Sequence, residues 1–420
     1  MRRNFIKNKI GFIHPEDWII TKIGKIADIN VTSLGTKTDP EKEISYIDLG
    51  SVNEGRIDQP VDNFKYKNAP SRARRIVSSN DVLMSTVRPN LKGFARANDD
   101  IDGYICSTGF AVLTPNDEIN SKYIFQSLFT ETFQRQFYQL LVGSSYPAIN
   151  NSDVEKLYLA LPSDYDERKK IVKILSTWDE AISKTEKLIQ AKKRYKKGLM
   201  QRLLTGKVRF PEFEGEWQEV RFKDVVKINA KSLNSETTPD YKFEYISLSD
   251  IENGQISKKL DEHEFKDAPS RAKRIVSEGD ILMATVRPNL QAFALAKNEH
   301  QDKIASTGFA VLTPKKDFNI KYLYHYLYSH YMSSQLHALT VGSNYPAINS
   351  SDVKKLKVRI PRSNHEINKI ESVLTNIDKE IKLLKKNKEQ FIIQKKGLMQ
   401  KLLTGKVRVN NLKKKDLGIH

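Results

Sequence analysis

Shifted by 199 residues, the chain of 420 residues lies on itself without a gap, Trp18 on Trp217 and onward to Arg209 on Arg408. No other feature constrains the fold as strongly. Whatever one half builds the other must build too, and agreement is concentrated: 19 of 26 positions match between Ala69–Phe94 and Ala268–Phe293, and 10 of 11 between Ile105–Pro115 and Ile304–Pro314. VGSSYPAINNSDV against VGSNYPAINSSDV gives 11 of 13, and KGLMQRLLTGKVR against KGLMQKLLTGKVR gives 12 of 13. Solenoid repeats run to roughly 20 to 50 residues, so this period marks a duplicated domain with its linker.

Each copy has two parts. Up to Leu161 or Ile360, short β-branched runs (EISYIDLGSV, SNDVLMSTV, GFAVLTP) alternate with Gly, Pro and Asn breaks around one helical stretch, NSKYIFQSLFTETFQRQFYQLL, which predicts a compact α+β domain with a twisted sheet. The second part lacks Pro and repeats apolar residues at three and four: Ile171, Ile174, Leu175, Trp178, Ile182, Leu188, Ile189, Leu199 and Leu203, against Ile370, Val373, Leu374, Ile377, Ile381, Leu384, Phe391, Leu398 and Leu402. That is an amphipathic helix of about 40 residues, about 60 Å long. Pro162 and Pro361 end the strand before it, and Ser163, Asp164 and Asp166 supply caps and negative charge at its start.

Two such stripes in one chain are most simply buried against each other. The expected fold is therefore α+β, with two duplicated α/β domains (1–162 and 207–361) and two long helices (163–206 and 362–405) packed as an antiparallel coiled coil with pseudo-twofold symmetry. A basic tail, 406–420, follows. Gly206 and Gly405 read as helix-ending residues at positive φ. Gly198 and Gly397, within the helices, predict a close helix approach or a bend, because such a Gly costs about 1 kcal/mol relative to Ala.

Formal charge is +19, and Ser163–Arg209 and Arg362–Arg408 carry net +8 and +7 of it. Such a balance suits a polyanion such as DNA. No stretch approaches the roughly 18 apolar residues of a membrane span, and the start, MRRNFIKNKIGFIHPEDW, lacks the apolar run of a signal segment. A cytoplasmic protein with no membrane partner is expected. Cys106 is the one cysteine, so neither an internal disulfide nor a cysteine metal cluster is possible.

Catalytic motifs fail on spacing. TGKV (Thr205–Val208) is not a phosphate loop, since seven residues instead of four separate Gly198 from Gly206 and Val208 follows the Lys. The eight His lack ligand spacing; His325, His330 and His337 face Gln126, Glu131 and Tyr138 in the other copy, and Cys106 faces Ala305. No Gly-rich cofactor loop, adenine-methyltransferase motif or nuclease carboxylate cluster is present. The chain is expected to carry no catalytic residues, metal or cofactor of its own.

Polar clusters recur at equivalent places instead. SRARRIV and SRAKRIV put Arg72, Arg74 and Arg75, or Arg271, Lys273 and Arg274, just before a strand, a grouping suited to phosphate oxygens or to a solvated turn. STVRPN and ATVRPN hold Arg88 and Asn90, or Arg287 and Asn289, around a Pro; Arg bonds guanine and Asn adenine in bidentate fashion, although both also serve turns. The loops GSSYPAINNSD and GSNYPAINSSD offer Ser144, Ser145, Tyr146, Asn150 and Asn151, or Ser343, Asn344, Tyr345 and Asn349, as base readers or as domain-closing turns. Lys192, Lys193, Arg194, Lys196 and Lys197 attract phosphates or face acidic partner surfaces, and Asp81 and Asp280 sit at turns before strands.

In combination, the duplicated unit, the openings WIITKIGKIADIN and WQEVRFKDVVKIN, DVLMSTVRP and DILMATVRP, LPSDYDERKKIVKILSTWDEAI and the GLMQRLLTGKVRF ending resemble the DNA-specificity subunit of type I restriction-modification systems, a host-defence family, over essentially the whole chain. The resemblance implies two target-recognition domains, each reading half of a bipartite double-stranded DNA sequence, held apart by two antiparallel helices. It implies that those helices dock two modification subunits carrying the S-adenosylmethionine chemistry of adenine methylation, and that restriction subunits using ATP and Mg join to translocate and cleave. At the helix entry the family's Leu-Pro-Pro-Leu and Glu-Gln are only partly kept: Leu161, Pro162, Glu167, Pro361 and Glu366 are present, but Arg168 and Ile367 replace the Gln. The helices would then act as a ruler, and readers this alike would give a near-palindromic target, with Lys92 against Gln291 and Ser145 against Asn344 as sources of asymmetry. The rival reading is a stand-alone twofold DNA-binding regulator.

Overall fold

Strand Val82–Ser85 is buried at all four positions, and so are the first four of its neighbour Phe110–Pro115. A strand apolar on both faces must be covered on both. Val82, Met84, Ala111 and Leu113 point to a cluster with Ile124, Leu128, Phe133 and Phe137 from two helices. Leu83, Phe110 and Val112 point the other way, to Ile47, Ala95 and Cys106. A computed structural model describes residues 5–7, 13–140, 147–315, 318–340 and 346–409. It divides into two compact units, Met1–Glu186 with Lys386–His420, and Lys187–Lys385.

In the first unit an antiparallel sheet runs in the order Phe94–Arg96, Val82–Ser85, Phe110–Pro115, Ala27–Ile29. A second sheet runs Asp62–Lys65, Glu43–Ile47, Ile105–Ser107, Ala73–Ile76, with the Glu43–Ile47 and Ile105–Ser107 pair parallel. The second unit repeats both sheets 199 residues on, from Phe293–Leu295 to Val226–Ile228 and from Asp261–Glu264 to Ala272–Ile275. Each unit is α+β. The expected single helical stretch is in fact two helices, Glu118–Ser127 and Glu131–Leu140. Thr130 causes the break: its hydroxyl donates to Ser127 O at 2.7 Å and accepts from Phe133 N at 3.4 Å, while Gln134 Nε2 takes Leu128 O at 2.6 Å.

The long helices are Tyr165–Leu203 and Asn364–Leu402, each of 39 residues. Asp164 caps the first, its Oδ1 accepting from Asp166 N at 2.9 Å. In the first unit Trp178 meets Phe391 with ring centroids 5.8 Å apart, Asp179 meets Lys395 at 2.6 Å and Glu186 meets Lys388 at 2.5 Å. In the second, Lys192 meets Glu380 at 2.5 Å and Lys196 meets Asp378 at 2.6 Å. Numbers rise on one helix as they fall on the other, so the pairing within each unit is antiparallel.

Along the seam Ile171, Leu175, Ile182, Leu203, Ile370, Leu374, Ile377, Ile381 and Leu402 are buried, and Trp178, Leu199 and Leu398 are half-buried. Met200, Leu204, Met399 and Leu403 are buried as well. The helix ends therefore present two adjacent residues to the core where the three-and-four pattern counts one. Gly206 and Gly405 have φ of +69° and +68°. Gly198 and Gly397 correct one of the two sequence readings: a Cβ placed at either would meet no atom outside the helix's own backbone within 4 Å, so close helix approach does not explain them.

Candidate nucleic-acid interface

In the first unit four segments separated in sequence are sewn together by backbone hydrogen bonds. Thr108 N donates to Arg72 O at 2.9 Å, and Thr86 N donates to Gly109 O at 2.9 Å. Ile149 N then donates to Thr86 O at 3.0 Å and Arg88 N to Pro147 O at 2.8 Å, with Val87 and Ala148 bridged between them. The basic run, the STG turn, the VRPN loop and the PAIN segment thus form one edge. The second unit repeats every stitch: Thr307 N to Arg271 O, Thr285 N to Gly308 O, Ile348 N to Thr285 O and Arg287 N to Pro346 O, at 2.8, 2.8, 2.9 and 2.7 Å. At the crossing the Leu49 side chain packs over Gly109: a Cβ there would stand 2.8 Å from Leu49 Cδ1, so any side chain would have to displace it.

The VRPN loop is a single turn, Pro89–Leu91, between two left-handed residues, Arg88 (φ 48°, ψ 51°) and Lys92 (φ 54°, ψ 38°). Arg287 and Gln291 bracket Pro288–Leu290 in the same conformation. Non-glycine residues rarely adopt it, and such strain concentrates at ligand-contacting sites. Arg88, Asn90, Arg287 and Asn289 are exposed, Pro89 and Pro288 are buried, and Leu91 and Leu290 stand 62% and 67% exposed at the tip.

The basic run behaves differently from its sequence reading. Only Arg72 and Arg271 precede the strand and are exposed; Arg74 and Arg75 lie within Ala73–Ile76, and Lys273 and Arg274 within Ala272–Ile275. Arg74 lies over the Tyr66 ring at 5.2 Å and donates to Ala73 O at 2.9 Å, while Lys273 lies over Phe265 at 4.8 Å. Arg274 donates to Ser232 Oγ at 3.0 Å, and burial lowers its pKa. Because successive strand residues face opposite sides, alternation alone does not hold them; these ring and hydrogen-bond contacts keep Arg74, Lys273 and Arg274 half-buried against the domain.

Asn349 Oδ1 accepts from Ser351 N at 2.9 Å and Asp352 N at 3.0 Å, which is the bonding of a helix cap. Asn150 is exposed, and its N–H donates to Asp153 Oδ2 at 3.2 Å. Ser144, Ser145, Tyr146, Ser343, Asn344 and Tyr345 lie outside the described residues. On the helices, Lys192 and Lys196 are consumed by Glu380 and Asp378, leaving Lys193, Arg194 and Lys197 exposed. Thr108, Thr307, Leu91 and Leu290 were not singled out by sequence reasoning, although each is invariant between the copies and that identity was the available signal.

Burial pushes the Cys106 thiol far above its usual range, the opposite of what a nucleophile needs. Asp81 and Asp280 precede strands as expected, are buried, and are raised by desolvation. Among the described residues no group of His, Cys, Asp and Glu is placed to hold a metal, and no helix is long and apolar enough to cross a membrane.

A family model described as the type I restriction modification DNA specificity domain matches the chain twice, at residues 15–193 and 214–392. The type I restriction enzyme MjaVIII specificity subunit of Methanocaldococcus jannaschii is 26% identical over 437 residues, 97% of this chain and 96% of the relative. The HindI specificity subunit of Haemophilus influenzae is 26% identical over 143 residues, 33% of this chain and 30% of the relative. Among solved structures, a chain from a study of the assembly and conformational transition of the type I R-M system aligns with a TM-score of 0.59 at 21% identity, covering 94% of this chain and 99% of that one. The type I restriction-modification S subunit from M. genitalium aligns with a TM-score of 0.56 at 16% identity, covering 92% and 96%. These two likenesses concern the fold.

Proposed function

Because the chain belongs to the type I restriction-modification DNA specificity family, we propose that the stitched edge in each unit is its base-reading surface and that the two edges read the two parts of one duplex target. The chain is the non-catalytic specificity subunit of such a system. Arg72 and Arg271 contact phosphates; Arg88, Asn90, Arg287 and Asn289 reach base edges, and the Leu91 and Leu290 tips suit thymine methyl groups. The observation that carries this reading is the left-handed VRPN loop stitched to the PAIN segment in both units. A loop already held in its strained shape loses little freedom on binding.

The chain binds no cofactor. Two modification subunits bring S-adenosylmethionine and methylate adenine, restriction subunits bring ATP and Mg, and the complex works on DNA in the cytoplasm. The test is sequencing of methylated adenines in a host carrying the chain with its neighbouring gene products. A discrete two-part motif that disappears in the Arg88→Ala, Arg287→Ala double variant is expected. Methylation that persists at the same motif would remove these residues from the reading surface.

A further inference from the structure

The two edges are alike beyond their general plan. The loop VRPNL is identical at 87–91 and 286–290. Its backbone repeats as closely: Arg88 and Arg287 have φ 48° with ψ 51° and 54°, and Lys92 and Gln291 have φ 54° and 53° with ψ 38° and 37°. The stitch to the PAIN segment measures 2.8 Å in one unit and 2.7 Å in the other, and that to the STG turn 2.9 and 2.8 Å. Base readout depends on which donors and acceptors are held at which positions. The same side chains on the same backbone offer the same pattern.

We propose, resting on the function above, that the two units read the same half-site, so the target is one short base sequence written twice. The difference at the edge of this loop is residue 92 against 291, both half-buried. Lys92 offers three donors and Gln291 both a donor and an acceptor, and Gln291 Nε2 is held by Ser333 Oγ at 3.0 Å. This loop's contribution to any difference between the halves therefore falls at the base pair these two residues face.

The experiment is selection of a random duplex pool on the purified full chain, followed by sequencing. Two halves with the same bases, inverted or direct, are expected. Unrelated halves overturn the proposal while leaving a DNA-specificity subunit in place, and no enriched sequence at all overturns both. Arg88→Ala and Arg287→Ala each relax discrimination at the same base position, one in each half, by roughly tenfold to a hundredfold; relaxation at different positions counts against the proposal. Lys92→Gln, an exchange at the loop's edge, removes the difference at that one base pair; a difference that persists there rejects the assignment of residue 92.

Discussion

The guanidinium of Arg408 closes on the carboxylate of Glu167, with Nε 2.5 Å from Oε1 and Nη2 2.6 Å from Oε2. Glu167 has no exposed surface, and Arg408 also holds Asp17 through two bonds of 2.8 and 2.7 Å. In the second unit Arg209 grips Glu366 in the same fork, at 2.9 and 2.7 Å. The final Arg of each repeated GKVR thus ties down the first turn of the other long helix. Arg408→Met should leave a buried carboxylate unpaired and lose about 3 kcal/mol in urea unfolding, most of it recovered by adding Glu167→Gln. Unchanged stability in the single variant would mean the fork is incidental.

The four helix-end glycines divide by surroundings. Gly198→Ala and Gly397→Ala meet open space and should each stabilise by about 1 kcal/mol. Gly206→Ala and Gly405→Ala force a side chain into left-handed backbone, about 1–2 kcal/mol. At Gly405 the added Cβ would also clash with the Pro15 ring, so that variant should be the least stable. Thermal denaturation of the four variants reads the order directly.

His325 occupies the place of Gln126, whose amide donates to Asp179 at 2.6 Å. In the second unit Lys196 takes the equivalent Asp378, and His325, bonded to Thr375 Oγ1 at 3.0 Å, is buried and held at a pKa of about 3, by desolvation first and then by Lys196. The unfolded chain gains a proton near pH 6.5 that the folded chain refuses. Stability should therefore be flat in this term above that pH and fall as pH drops toward 3. His325→Gln should flatten the slope; an unaltered acid limb in denaturant titrations would contradict it.

Adding one heptad to both long helices, after Glu186 and after Lys385, keeps the facing pairs of each unit in step and lengthens each helix by about 10.5 Å. At 3.4 Å per base pair the unread spacer of the target should grow by about three base pairs. Methylome sequencing that returns the original spacer would reject the ruler.

The duplication, the α+β character of each copy and the two long helices were legible because each rests on local periodicity or on identity between copies. Which cations are available was not. SRARRIV reads as three equivalent charges, yet the Tyr66 ring and the Ala73 carbonyl hold Arg74 against the domain, and facing acids consume Lys192 and Lys196. His325 read as incidental because the sequence could not place it opposite Asp378 and Thr375.

By itself, the sequence determined that one architecture is built twice and, to within a few residues, where its two long helices begin and end, since these follow from spacing, caps and repeated residues. Only the tertiary structure decided that Arg72, Thr108, Arg88 and Pro147 form one edge and that each GKVR arginine serves the opposite helix start. Those contacts join backbone and charge across tens to hundreds of residues. No local pattern encodes them, because their partners are chosen by how buried strands and helices pack.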